Sequence, residues 1–164
     1  MIRDVLRDAV AFVDGELYAG EIEQVSLPEL QIQTEEMRAG GLDAPIEIDM
    51  GMEAMRASLQ FKSVPKEVMQ LFGKGDIDVK IRGALVSHDG DTRGATARLR
   101  GRFVDHNPGD WQSGQQASFE ATMACHFYEL EIGGEQVHKI DVENMVRIVN
   151  GEDQLEGIRE ALGL

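Results

Sequence analysis

The chain has 164 residues, with 30 acidic against 16 basic side chains and a formal net charge of −14. So acidic a surface repels nucleic acid and favours basic partners, which excludes a DNA-binding module. With 18 Gly and 42% hydrophobic residues, the length suits one strand-and-turn domain spanning 1–164 rather than a helical bundle or a disordered chain.

Taken in chain order, Val10 to Val13, Asp14-Gly15 and Glu16 to Gly20 read as a short hairpin, because Asp-Gly supplies the positive φ of a tight turn. Leu30 to Met37 and Ile46 to Met50 read as strands flanking an arm, Arg38-Ala39-Gly40-Gly41-Leu42-Asp43-Ala44-Pro45. The Gly-Gly pair frees the backbone there, while Pro45 pushes Ala44 toward extended geometry. Met55 to Lys62 alternates apolar and polar residues, the period of a strand with one dry face. Then the period changes. Val64, Val68, Leu71 and Phe72 share a helical face, predicting a two-turn helix from about Pro65 to Phe72 with Gly73 as its stop.

From Asp76 the two-residue period returns with Ile77, Val79, Ile81 and Leu85. Asp89-Gly90-Asp91 turns the chain, and Ala95, Ala97, Leu99, Gly101 and Phe103 line the returning strand. Ala117 to Ile132 is the longest strand predicted. It carries Phe119, Ala121, Met123, Cys125 and Phe127 on one side before Leu130 and Ile132 take over the other, so a bulge or two-sided burial is expected. Gly133-Gly134 turns into Gln136 to Ile140, and Met145 to Val149 forms a weaker strand. Asp153 is positioned to cap a C-terminal helix bearing Leu155, Ile158 and Leu162, closed by Gly163. The class is mainly β and antiparallel, with one short helix in the middle and one at the end. So many long strands leave edges that identical subunits can pair.

The single Cys125 excludes an internal disulfide, Met1-Ile2-Arg3-Asp4 lacks the apolar core of a secretion signal, and no apolar run approaches the ~20 residues that cross a bilayer. A soluble chain without a membrane anchor, assembled in a reducing cytoplasm, is expected.

Several segments imitate chemistry. Asp89-Gly90-Asp91-Thr92-Arg93-Gly94 begins like a calcium loop, yet Arg93 and Arg100 stand where oxygen ligands belong, so it reads as a hairpin turn. Gly73-Lys74-Gly75-Asp76 lacks the leading Gly and following Ser or Thr of a phosphate loop. His88, His106, His126 and His138 show no metal spacing. Cys125 and His126 are consecutive on a strand and face opposite ways; Cys125 reads as a small core residue. Arg98, Arg100 and Arg102 share a strand face beside Lys80 and Arg82, which in so acidic a chain suggests salt bridging between subunits or solvation. Asp105, His106, Asp110 and Trp111 hold an acid, a base and a stacking ring, but Pro108-Gly109 between them marks a loop tip. No catalytic, cofactor or metal residue is assigned.

Beyond these local patterns, the chain resembles the major tail tube proteins of contractile phage tails and R-type bacteriocins. The landmarks are Asp14-Gly15 with Ala19-Gly20, Leu27-Pro28, the arm, Asp49-Met50-Gly51, Pro108-Gly109-Asp110-Trp111, Ile140-Asp141, Asn150-Gly151 and Gly163-Leu164. They run from near the first residue to the last. The resemblance implies a small antiparallel β-barrel or sandwich with one short flanking helix and a C-terminal helix, a structural subunit without enzymatic activity or cofactor, hexameric rings stacked into a rigid hollow conduit, and sheath contraction that drives this tube through a target envelope. It implies sheath, baseplate and terminator proteins as partners, and DNA only as passing cargo. An acidic lumen suits such passage, since it repels phosphates. Within that picture Arg38, Gly40, Gly41, Asp43 and Pro45 are the interface residues expected to reach a neighbouring subunit or ring; the alternative is a mobile hairpin tip. Two rival readings remain: the tube of a related secretion apparatus, and a small β-barrel that binds a ligand or hydrolyses a substrate. The last needs convergent polar groups in an apolar cup, which this sequence does not supply.

Overall fold

The computed structural model describes residues 2–164. Twelve strands and two short helices follow in the order β1 (Val5–Val13), β2 (Glu16–Tyr18), β3 (Ile22–Ser26), β4 (Ile32–Met37), β5 (Ile46–Met52), β6 (Met55–Phe61), α1 (Lys66–Met69), β7 (Ile77–Val86), β8 (Thr92–Asn107), β9 (Phe119–Ile132), β10 (Glu135–Asp141), β11 (Val146–Val149), β12 (Glu152–Asp153) and α2 (Glu156–Leu162). All pairings are antiparallel.

The main sheet runs β12-β11-β10-β9-β8-β7-β1-β2, and β9 carries a branch through β6 to β3. β9 keeps β8 along one edge. Its other edge is divided: Phe119–Cys125 pairs β6, and Phe127–Ile132 pairs β10. The changeover falls at His126, an extra residue in β9 where Arg100 pairs Phe127 while the adjacent Gly101 pairs Cys125. A bulge of this kind turns the following side chains over. Met123 is therefore buried on one side of His126, and Tyr128 on the other.

Curled this way, β1-β7-β8-β9-β6-β3 forms a barrel that does not close. β1 and β3 approach each other and jointly line a cavity of about 390 Å³ with Leu6, Ala9, Ile22 and Val25, but no ladder joins them. The core lies inside, built from Ala11, Val13, Met55, Ala57, Leu59, Phe61, Ile77, Val79, Leu99, Phe103, Phe119 and Met123. Each of the larger apolar side chains here stabilises the fold by about 1.5–3 kcal/mol. Tyr18 meets Phe61 edge-on at 5.7 Å, and His106 sits 5.1 Å from the rings of Phe72, Phe103 and Phe119.

Several expectations need correction. β1 begins at Val5 rather than Val10, because its first half pairs Leu85 and Val86 across β7. β3 was not anticipated: only Ile22 and Val25 are apolar in it, and it forms by pairing β6. Phe127 does not share the face of Cys125; the His126 bulge turns it outward beneath Arg100. The helix α1 is a single turn. Val68 is fully buried and Leu71 packs against the core from a partly buried position, but Val64 and Phe72 are exposed, so only part of the predicted apolar stripe is covered. Asp153 does not cap α2 as its N-terminal residue, a place taken by Leu155; it accepts the Leu155 N–H at 3.1 Å from just before the helix.

Close strand packing makes Gly101 irreplaceable. A Cβ there would stand 2.0 Å from the carbonyl oxygen of Ala124, which is backbone and has no room to retreat. Gly101→Ala is expected to cost about 3 kcal/mol by overpacking, read as a lower midpoint in urea unfolding. Gly94→Ala in the same strand meets nothing within 4 Å and should stay within about 0.5 kcal/mol of wild type.

Two partly buried imidazoles set a pH dependence. Burial pushes His106 and His138 below the ordinary histidine value, and the Nε2 of each lacks a hydrogen-bond partner among the described residues. The unfolded chain therefore takes up protons first as pH falls through about 6.5, so stability is complete above that value and declines below it. The urea midpoint should drop between about pH 7.5 and about pH 5.5, and less steeply in His106→Phe/His138→Phe.

Candidate assembly interface

The pair β4–β5 stands outside the main sheet as a separate two-stranded ribbon, and every residue from Gln31 to Gly51 is exposed. Its register gives it two unlike faces. Thr34 opposes Asp49 and Glu36 opposes Glu47 on one, whereas Glu35 opposes Ile48 and Met37 opposes Ile46 on the other. One face is acidic and the other largely apolar. A lone ribbon of this size is marginal in water, and here Met37, Ile46 and Met50 are each more than half exposed.

At the tip, the Leu42 N–H donates to the Ala39 carbonyl at 3.2 Å, and Gly41 adopts φ 89°, which a side chain would strain. Gly40 needs no such angle. Arg38, Gly40, Gly41, Asp43 and Pro45 are all exposed in this turn, and Arg38 and Asp43 make no ion pair among the described residues.

The ribbon is fixed at its base. Met52 packs against the core, and the Glu53 N–H donates to the Gln31 carbonyl at 2.8 Å. Between base and tip, the buried Arg147 of β11 donates to Asp49 Oδ2 at 2.6 Å. The Gly51 N–H and then Arg147 hold the Asp49 carboxyl below its ordinary range. The same arginine's backbone meets the C-terminal segment, where Arg147 N–H donates to Asp153 and its carbonyl accepts from Gln154. Asp153 in turn accepts from Arg159 of α2 at 2.6 Å, which holds its carboxyl low as well. Both carboxylates stabilise the fold above their ordinary range, and that contribution is lost as pH falls through their lowered values. α2 itself buries no residue; Ile158, Leu162 and Leu164 are 50%, 62% and 76% exposed.

The other candidate groups remain dispersed. Cys125 is largely buried, and burial pushes its thiol up to about 12, so it is no nucleophile at neutral pH. His126 lies between Asp76 at 2.9 Å from Nε2 and Glu143 at 4.0 Å from Nδ1, so the two carboxylates approach opposite nitrogens of the ring. His106 turns into the aromatic cluster, while Trp111 projects from the loop at 71% exposure, so Asp105, His106, Asp110 and Trp111 do not converge. Arg98 and Arg100 pair within the chain, with Glu129 at 4.0 Å and Asp78 at 2.9 Å.

Removing the anchor should loosen the ribbon without unfolding the barrel. Arg147→Met is expected to cost about 1–2 kcal/mol and to speed proteolytic cleavage within 32–52, a difference read by mass spectrometry of the first fragments.

The sequence family described as Phage tail tube protein FII matches residues 3–163. The chain is 27% identical over 160 residues to the tail tube protein of Escherichia phage P2, covering 93% of each chain. It is 28% identical over 163 residues to the major tail tube protein of Serratia phage KSP20, covering 97% of this chain and 95% of that one. In fold it is similar to Hcp1 from Flavobacterium johnsoniae, with TM-score 0.50 and 16% identity over 80% of this chain and 98% of that one. It is also similar to a chain of the anti-feeding prophage baseplate, with TM-score 0.53 and 11% identity over 80% and 96% of the two chains. An exposed amphipathic ribbon, a barrel with free strand edges and a family match along nearly the whole length lead to one conclusion: the chain belongs to the phage tail tube protein FII family.

Proposed function

We propose that this chain is the repeating unit of the inner tube of a contractile tail: copies join into hexameric rings, the rings stack, and sheath contraction drives the resulting conduit through a target envelope. The observation that carries this reading is the β4–β5 ribbon, whose exposed apolar face has no partner within the chain's described residues. A surface of that kind marks an interaction site. In this reading the whole of 1–164 acts as one tube unit, and the tip residues Arg38, Gly40, Gly41, Asp43 and Pro45 reach a neighbouring subunit or ring. The role is structural rather than catalytic, with assembly in the host cytoplasm before the tube joins the particle. Sheath, baseplate and terminator proteins are the proposed partners, and the acidic excess suits basic sheath elements. Any DNA is cargo passing through.

The purified protein at high concentration should form rings or hollow rods in negative-stain microscopy; a compact monomer that never assembles, even beside its neighbouring tail proteins, defeats the proposal. Replacing Ala39–Asp43 by a two-residue turn should leave the urea midpoint unchanged and abolish rods. Rods from that variant would make the tip dispensable. Sheath binding should weaken as ionic strength rises, because arrays of surface charge are screened.

A further inference from the structure

The outer face of the main sheet carries a charge arrangement opposite to that of the ribbon. One row of side chains crosses five strands: Phe12 opposes Lys80, Lys80 opposes Arg98, Arg98 opposes Glu129, and Glu129 opposes Lys139. Two cations thus stand directly opposite each other on β7 and β8. Lys80 and Arg82 make no ion pair among the described residues. They line a groove of about 800 Å³ with Arg98, Arg100, Phe12, Phe127 and Asp78, the one carboxylate in it, which Arg100 neutralises. Aromatic rings hold the cations in place, with Arg82 5.8 Å from the Phe12 ring centre and Arg100 5.1 Å from that of Phe127.

The ribbon shows the converse defect. Glu36 and Glu47 are directly opposed on its acidic face, and like charges so placed destabilise a strand pair. Asp49, on that same face, is already satisfied by Arg147, but Glu36 and Glu47 have no cation among the described residues. Along 32–52, Arg38 is the only basic residue against Glu35, Glu36, Asp43, Glu47 and Asp49.

We infer that the two like-charged surfaces answer each other between copies: the opposed Glu36 and Glu47 of one ribbon dock in the groove of a second copy that the unpaired Lys80 and Arg82 line. The inference rests on the tube reading above and assigns the surface on which the ribbon lands. Each like-charged surface then gains opposite-charge neighbours, and the groove's aromatic walls exclude water around them, which strengthens the contact.

Charge swapping tests it. Glu36→Lys/Glu47→Lys and Lys80→Glu/Arg82→Glu, each checked for folding by circular dichroism, should reduce rod yield about tenfold or more, an effect of one decade in the association constant. The fourfold variant, with acid and base exchanged, should recover most of the wild-type yield. Rods at wild-type yield from both double variants, or a folded fourfold variant that stays as poor as the doubles, would overturn the contact. A short DNA duplex bound by the wild-type subunit and lost with Lys80→Glu/Arg82→Glu, while rod yield is untouched, would assign the groove to nucleic acid and likewise overturn it. Wild-type rods are the control: their absence defeats both the tube reading and this contact, whereas normal rods from the variants defeat this contact alone.

Discussion

Everything in this molecule hangs on the divided edge of β9. A strand has two rows of backbone hydrogen-bonding groups, and each buried row must be satisfied along its whole length. β9 gives one row to β8 and splits the other between β6 and β10 at His126. The split lets one continuous strand belong to the curled barrel at its start and to the β10–β12 extension at its end. Without the extra residue, the side chains beyond His126 would face the wrong way, and Tyr128 would lie in solvent instead of the core.

Two further features follow from that geometry. The β10–β12 extension places Arg147 where it reaches Asp49, so a ribbon emerging early in the chain is tied to a helix at its end through one buried guanidinium. The barrel's gap leaves one edge of β3 and the first half of β1 without a strand partner among the described residues, a liability that monomeric proteins usually cover and that assemblies exploit. The surface is thus unfinished in three places: the ribbon, the gap and α2.

Much of this was legible in the sequence where one face is dry. β6, the first half of β7 and the middle of β8 alternate, and Ile77, Val79, Ile81, Ala97, Leu99 and Phe103 are buried as the period requires. The arm was legible through Gly41 and Pro45, and the family through landmarks spread along the whole chain. β3 was hidden, because Glu23 and Gln24 interrupt its apolar residues and only tertiary pairing makes it a strand. The phase change late in β9 signals either a bulge or two-sided burial, and a period-two pattern does not say which residue is the inserted one, so the pattern alone puts Phe127 on the face of Cys125. The Arg147–Asp49 bond joins residues 98 positions apart, a pairing no local pattern encodes. Likewise, Ile46, Ile48 and Met50 alternate like a half-buried strand, and nothing in their order reveals that both faces are open within the subunit.

The loop bearing Trp111 has an optical consequence. It is the only tryptophan in the chain, and it projects into solvent, whereas the rings of Phe61, Phe103 and Phe119 are buried. Its emission reports the surroundings of that loop and is nearly blind to melting of the core, which the buried Tyr18 and Tyr128 register instead. Fluorescence excited at the indole band is therefore a gauge of contacts at the loop, separable in the same cuvette from the folding of the barrel beneath it.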